Sequence, residues 1–245
     1  MQRRRRRNAK KLNPTTKKQI NQFFKCKKCA GVFVVAKEFH MRNRMLTHDN
    51  KEHGGNMTFD MKDLILKKGE ETDGEYNSVD LPRGVVDWHT HPRECKDDDT
   101  CAIGIPSPTD LANVVVGFVY GTVAHLVYSK EGTYCIQVKM DTLEKVADNK
   151  KILSEFQDAI VQSFLSLHHN FLQRANMNYN QYRKQWLAKA KKWGFRITFF
   201  KGDTQPVVPL RYDCNLRAKN ARIKLKVEVP DMFDDKEQKG PKLRK

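Results

Sequence analysis

The apolar residues of this chain recur with two different periods, and each period predicts a different kind of element. Alternating or short continuous apolar runs bounded by turn residues indicate strands. This pattern occurs in VFVV, NMTFDM, DLILKK, GVVDWHTH, FRITFF and RIKLKVEV, and as a two-strand hairpin in TVAHLVYSKEGTYCIQVKM. The polar segment EETDGEYNSVDLPRG is rich in turn residues and predicts a surface loop.

Apolar residues three and four positions apart predict four helices. Residues 37–48 have their apolar side chains roughly at this spacing, namely Phe39, Met41, Met45 and Leu46. SPTDLANVVVGFVYG starts with Ser107 as a cap and Pro108 in the first turn. A long amphipathic helix carries the stripe Ile152, Phe156, Ile160, Phe164, Leu167 and Phe171. The last predicted helix, Tyr182 to Trp193, ends at Gly194. This combination of predicted strands and helices predicts an α/β fold of the α+β kind with a mixed sheet.

The length of 245 residues and the 39% hydrophobic content suit one medium domain with appendages. We predict a basic arm over residues 1–30, a core over 31–140, a helical and β extension packed on it over 141–230, and a polar tail over 231–245. No run approaches the roughly 18 apolar residues of a membrane span, and no apolar segment follows the N-terminal arginines as in a signal peptide. An intracellular location in cytoplasm or nucleus, or in a virus particle, is therefore expected.

The net charge of +17 is concentrated in the N-terminal arm. Residues 1–28 contain twelve Lys and Arg and no Asp or Glu. Such a block cannot bury enough apolar surface to fold alone. The run Arg3, Arg4, Arg5, Arg6 and Arg7 favours binding of nucleic acid or another polyanion, or nuclear import, and the alternative is a solubilising tail.

Cysteine spacing suggests a second metal site without completing it. Cys26-x-x-Cys29 is half of a structural zinc site, and Cys95 with Cys101 is the other close pair. Reduced cysteines or a local disulfide are the simpler alternative. Cys135 and Cys214 are predicted core residues.

The stretch WHTHPRECKDDDTCAIGIPSPTDL combines features that are weak singly and specific together. His89 and His91 lie two apart on a predicted strand, so both project from one face. Ser107-x-x-Asp110 is by itself an ordinary capping box. Two imidazoles and the first-turn carboxylate of Asp110, which also favours the helix dipole, make three protein ligands and leave a fourth zinc position open for water.

A hydrolytic zinc site also needs a general base and a donor for the developing oxyanion. Glu52 is favoured among the upstream carboxylates Glu38, Glu52, Glu70, Glu71 and Glu75, since it directly precedes a strand that opens with two glycines. Ser107, at the start of the helix, is placed to donate a hydrogen bond to that oxyanion. His53 and His125 are predicted to be at most outer partners of the ligands.

These residues resemble the signature of the JAMM (MPN-domain) zinc metalloproteases. The matching set is Glu52-x-Gly54-Gly55, His89-Thr90-His91-Pro92 and Pro106-Ser107-x-x-Asp110, and the order of elements over residues 32–140 is also similar. The resemblance implies a cytidine-deaminase-type JAMM core followed by a helical and β extension. It also implies that His89, His91 and Asp110 bind Zn²⁺, that Glu52 activates the water, and that Ser107 stabilises the tetrahedral intermediate.

The implied substrates are peptide or isopeptide bonds in proteins, typically conjugates of ubiquitin or ubiquitin-like proteins. One departure is the connection between His91 and Ser107, residues 92–106, which is longer than in the family. Its Cys95, Asp97, Asp98 and Asp99 could gate substrate, shield the metal or compete as ligands. The alternative from another class is a nucleic-acid-associated or virion structural protein that retains the fold and acts through its basic arm.

Overall fold

The computed structural model describes most of the chain between its two termini. The described ranges are residues 30–49, 51–60, 62–75, 78–82, 84–92, 104–147, 149–173 and 179–211. Among the helices in these ranges, none is both long and apolar enough to cross a lipid bilayer.

The strands of the described ranges form one mixed sheet, as the sequence predicts. They are β1 (Ala30–Val35), β2 (His53–Asp60), β3 (Ile65–Asp73), β4 (Val86–Thr90), β5 (Ala124–Ser129), β6 (Gly132–Val138), β7 (Phe195–Lys201) and β8 (Val207–Arg211). Their order is β7-β6-β5-β4-β2-β3-β1-β8. β4 pairs with β5 and β1 with β3 in parallel, and the other neighbours are antiparallel. Strand β4, which carries the histidines, therefore lies in the middle of the sheet.

The sheet curls so that its two ends approach each other. The side-chain amide of Gln137 on β6 donates to the carbonyl of Pro209 on β8 at 3.1 Å, although five strands lie between β6 and β8 in the order of pairing. The same amide donates to the carbonyl of Val123 at 3.2 Å. One buried apolar cluster accordingly contains both Cys135 of β6 and Val208 of β8.

The helices cover both faces of the sheet. They are α1 (Lys37–Leu46), α2 (Pro108–Val119), α3 (Met140–Val146), α4 (Lys150–Gln173) and α5 (Tyr179–Lys192). Phe39 of α1 packs with Trp88 and Tyr128 in one apolar cluster. The other four helices contribute to a second cluster, on the face that bears Val127 and Ile136. Since side chains alternate along β4, Trp88 points to the first cluster and His89 to the face of α2.

Several predicted elements differ from the observed ones. On α1, Phe39 is buried and Leu46 packs against the same cluster as predicted, but Met41 and Met45 are exposed and the polar His40 and Asn43 are buried instead, so the predicted apolar face was wrong for the two methionines. Strand β3 continues to Asp73, into the segment predicted as a surface loop. Strand β8 and helix α3 were not predicted. The predicted strand RIKLKVEV and the core prediction for Cys214 lie outside the described residues.

Candidate metal centre

The two histidines of the HTH motif come together at the C-terminal end of β4. Every residue of β4 is buried. His91 directly follows the strand, and its backbone N–H donates to the carbonyl of Tyr128 on β5 at 2.8 Å, which continues the parallel ladder. The alternation of the strand places both rings on one face, with their Nε2 atoms 3.0 Å apart.

Asp110 reaches the histidines from the first turn of α2. Ser107 caps this helix: its Oγ accepts the Asp110 N–H at 3.0 Å, and its own N–H donates to Oδ2 of Asp110 at 2.6 Å. This reciprocal capping box fixes the carboxylate of Asp110 relative to the helix start. The carboxylate therefore serves the cap while it faces the end of β4.

His89, His91 and Asp110 form a group that could hold a metal ion. One ligand atom from each side chain lies within 4.8 Å of the other two. Nε2 of His89 is 3.5 Å from Oδ1 of Asp110, and Nε2 of His91 is 3.1 Å from Oδ2. Within the described residues this is the one such group of three.

Charge coupling within the group is strong. Burial acts to raise the pKa of Asp110, but the charges and hydrogen bonds of His89 and His91 outweigh it and hold the pKa well below its ordinary value. Burial acts to lower the pKa of His91, but Asp110 and the charge of Glu52 outweigh it and raise this pKa. Without a metal, Asp110 is therefore stabilised as a carboxylate that pairs with His91.

Glu52 lies beside this group, just before the first residue of β2. Its backbone N–H donates to the carbonyl of Glu75 at 2.9 Å, and its carbonyl accepts the N–H of Gly74 at 2.8 Å. Burial raises the pKa of the Glu52 carboxyl, the positive charges of His89 and His91 act against this, and Asp110 adds to it. A carboxyl with a raised pKa is suited to accept a proton and release it again.

The two glycines after Glu52 are required by close approaches. A side chain at Gly55 would overlap the backbone carbonyl of Glu70 on β3 and would lie 2.9 Å from the indole nitrogen of Trp88. A side chain at Gly54 would meet the end of the Leu81 side chain and would lie 3.2 Å from the carbonyl of Trp88. The Gly-Gly pair thus lets β2 lie tightly between β3 and β4.

Both histidines make a further contact through their rings. Nδ1 of His89 lies 2.8 Å from Nε2 of His125 on β5, and the His91 ring hydrogen-bonds to the backbone carbonyl of Ile105. His125 is buried, and burial together with the neighbouring His89 holds its pKa well below its ordinary value. The sequence signal for this contact is a histidine within the otherwise apolar start of β5, two residues before Val127, which pairs with His89.

The ring of His53 hydrogen-bonds to two aspartates outside the group of His89, His91 and Asp110. Its Nδ1 and Nε2 lie 2.8 Å and 2.9 Å from the carboxylates of Asp73 and Asp49. Its backbone N–H donates to the hydroxyl of Thr90, between His89 and His91 in the chain, at 2.9 Å. His53 therefore joins the start of β2 to the end of β4, a role that the motif spacing does not reveal.

Other predicted sites lie outside the described residues. These are Arg3 to Arg7, Cys26 and Cys29, and the part of the connection that contains Cys95, Asp97, Asp98, Asp99 and Cys101. Cys135 is described, and it is a buried free thiol on β6, as predicted for a core residue.

Comparisons with protein-family models, with curated proteins and with solved structures give no match for this chain.

Proposed function

We propose that this chain is a zinc-dependent hydrolase of the JAMM type that cleaves peptide or isopeptide bonds in a protein substrate. The observation that carries the proposal is the convergence of His89, His91 and Asp110 beside the half-buried carboxyl of Glu52. The support lies in the geometry together with the sequence resemblance, since the strand with the histidines leads into the helix with Ser107 and Asp110 as that family's motif requires.

The donor set suits zinc. Zinc takes nitrogen and oxygen ligands at about 2.0–2.1 Å in tetrahedral sites, so neighbouring ligand atoms lie about 3.3–3.4 Å apart. The distances of 3.0, 3.1 and 3.5 Å between the facing atoms of His89, His91 and Asp110 bracket that value. Three protein ligands leave one position for solvent or substrate. A zinc ion there would supply Lewis acidity and would lower the pKa of a bound water to about 7.

Glu52 is the proposed general base and acid. The water that attacks the scissile carbonyl carbon transfers a proton to the Glu52 carboxylate as the new C–O bond forms. The protonated carboxyl then delivers that proton to the leaving amine nitrogen as the C–N bond breaks, which restores Glu52. The raised pKa of Glu52 favours both transfers, because a base whose pKa lies closer to neutrality holds the proton between the two steps.

Ser107 is the proposed donor to the oxyanion. Its Oγ accepts the N–H of Asp110 in the cap, which leaves its hydroxyl hydrogen available for another acceptor. The Ser107 N–H donates to the carboxylate of Asp110, so the hydroxyl lies at the same corner of the site as this ligand. A preorganised donor of this kind stabilises negative charge on the carbonyl oxygen.

The proposed substrate class is a conjugate of a ubiquitin-like protein or a C-terminal protein tail. The family resemblance supports this class, and the carboxyl of Glu52 suits a leaving group that needs a proton, such as a lysine amine. An ester, whose leaving alkoxide needs less help, would depend less on Glu52.

Metal analysis combined with a cleavage assay tests the proposal. Purified chain should contain about one zinc, His89→Ala should lose it, and Glu52→Gln should keep it while cleavage of ubiquitin-like conjugates falls by about 10²–10⁴-fold. Full cleavage by Glu52→Gln would remove the assignment of the base. A chain that binds no zinc would favour the alternative of a scaffold that acts through its basic arm.

A further inference from the structure

His89 and His125 share a single short contact between two imidazole nitrogens in the interior of the fold. Nδ1 of His89 and Nε2 of His125 are 2.8 Å apart. His125 is only 4% exposed and His89 only 3%. At this distance one of the two nitrogens carries a proton and the other accepts it, because two bare lone pairs or two N–H groups would repel each other.

The other nitrogen of His89 decides which of them donates. Nε2 of His89 faces Nε2 of His91 and Oδ1 of Asp110, at 3.0 and 3.5 Å. An imidazole that binds a metal through Nε2 must present a lone pair there, so its proton is on Nδ1. His89 is then the donor, and His125 accepts at Nε2.

We propose that His125 is a positioning residue of the metal centre: it accepts the Nδ1–H of His89 and so fixes the ring and the tautomer in which His89 binds zinc. This inference rests on the proposed function, since it assumes that His89 is a zinc ligand. His125 itself does not touch the ion or the substrate.

The two proposed histidine ligands thus have orienting partners of different kinds. His91 hydrogen-bonds to a backbone carbonyl, that of Ile105, which no substitution removes. His89 depends on a side chain from the neighbouring parallel strand, in which His125 lies opposite Asp87 and Val127 opposite His89. Outer hydrogen bonds of this kind fix ring orientation, and their loss typically weakens metal binding by about 10–100-fold.

A neutral imidazole in this position also differs chemically from a carboxylate, the other common partner of a metal-bound histidine. A carboxylate would place a further negative charge behind His89 and would make it a stronger electron donor to the metal. His125 orients the ring without that charge. The metal would therefore remain a stronger Lewis acid than in a site with a carboxylate at this position.

Zinc affinity, measured by competition with a chromophoric chelator, tests the role without using cleavage as its readout. His125→Leu should weaken zinc binding by about 10–100-fold. His125→Gln should restore it, because the Gln Oε1 reaches about as far as Nε2 of the histidine and accepts the same proton. His40→Leu is the matched control. His40 is also a buried histidine, but it lies on α1, on the opposite face of the sheet, and its ring hydrogen-bonds to the carbonyl of Asp203. It should lower stability without changing zinc affinity.

Nitrogen-15 chemical shifts of the histidine rings in the zinc-loaded wild-type chain provide a second readout that does not need a folded variant. We expect His89 to be protonated at Nδ1 alone and His125 at Nδ1 alone. A proton on Nε2 of His125, or unchanged zinc affinity in a folded His125→Leu, would overturn this inference and leave the proposed function intact. A wild-type chain that binds no zinc would overturn both.

Discussion

The two halves of the candidate site are held in place by different means. His89, His91 and Asp110 are held by contacts of their side chains, namely the approach of both histidines to the Asp110 carboxylate, the capping box and the contact with His125. Glu52 is held by its backbone, through hydrogen bonds to Gly74 and Glu75, which directly follow β3. Substitution of a side chain should therefore disturb the ligand half directly, whereas the glutamate half should be most sensitive to changes in strand spacing.

The largest effect should come from substitution of Asp110, which has two roles among the proposed ligands: it faces the histidines and it caps α2. Asp110→Ala removes a proposed zinc ligand and one arm of the capping box, so zinc affinity should fall by more than the roughly 100-fold typical of an outer contact. The free energy of unfolding of the metal-free chain should fall by about 1 kcal/mol or more, since the N-terminal cap is weakened. Chelator competition and urea unfolding measure the two losses.

Asp110→Asn separates these two roles. The asparagine oxygen can still accept the N–H of Ser107, so much of the cap remains, but the anionic ligand is lost. Zinc affinity should fall as in Asp110→Ala, with a smaller loss of stability. Equal zinc affinity in Asp110→Asn and the wild type would show that this carboxylate only caps the helix.

The glutamate half should respond most to Gly55→Ala. The added methyl group would overlap the Glu70 carbonyl in the backbone of β3, which cannot move without shifting the strand. The free energy of unfolding should fall by about 1–3 kcal/mol, as is typical of overpacking. Gly54→Ala is the control, because its new methyl group meets the flexible end of Leu81 and should cost less. Urea unfolding compares the two variants, and an equal or larger loss for Gly54→Ala would contradict this description of the packing.

Ser107 allows its two roles to be separated with a smaller perturbation. Ser107→Ala should cost about 1 kcal/mol of stability, whereas Ser107→Gly should cost only a few tenths, because glycine is tolerated at an N-cap. Both variants lack the hydroxyl. If that hydroxyl donates to the oxyanion, cleavage should fall in both by about 10²–10³-fold. If cleavage fell only in Ser107→Ala, the less stable of the two variants, Ser107 would be assigned to the cap alone.

The ligand half could be predicted from the sequence because its geometry follows from local rules. A two-residue spacing on a strand places His89 and His91 on one face, and a capping box fixes Asp110 in the first turn of α2. The pairing of β4 with β5, which brings His125 beside His89, joins residues far apart in the sequence, so no local rule predicts it. The contact of His125 with His89 depends on the register of these two strands and on which face of each strand its side chains occupy. The spacing of residues in the sequence could not identify either.

Helix α1 shows why the rest of the fold was harder to predict. Its methionines gave the expected apolar period, yet Met45 is 73% exposed and Asn43 is fully buried. Polar groups of β5 and of the turn that follows it lie under this helix: the ring of His40 is 5.8 Å from that of Tyr128, and Arg44 donates to the carbonyl of Lys130. Tertiary packing of this kind overrides the apolar pattern, because the helix buries whichever face the sheet can accommodate.

The smallest expected effect is the pH dependence that Glu52 gives to the metal-free chain. Its pKa is raised by burial, so between the ordinary and the raised value the folded chain keeps a proton that the unfolded chain has released. Stability must then fall as the pH rises through this window, and the loss is complete above it. Glu52→Gln cannot ionise, so with a chelator present it should be more stable than the wild type at neutral pH, and the difference should vanish below about pH 4. Urea unfolding across this range measures the difference. A wild-type chain that is the more stable of the two at neutral pH would mean that the charges of His89 and His91 outweigh burial, which would place Glu52 closer to the ligands than to the apolar core.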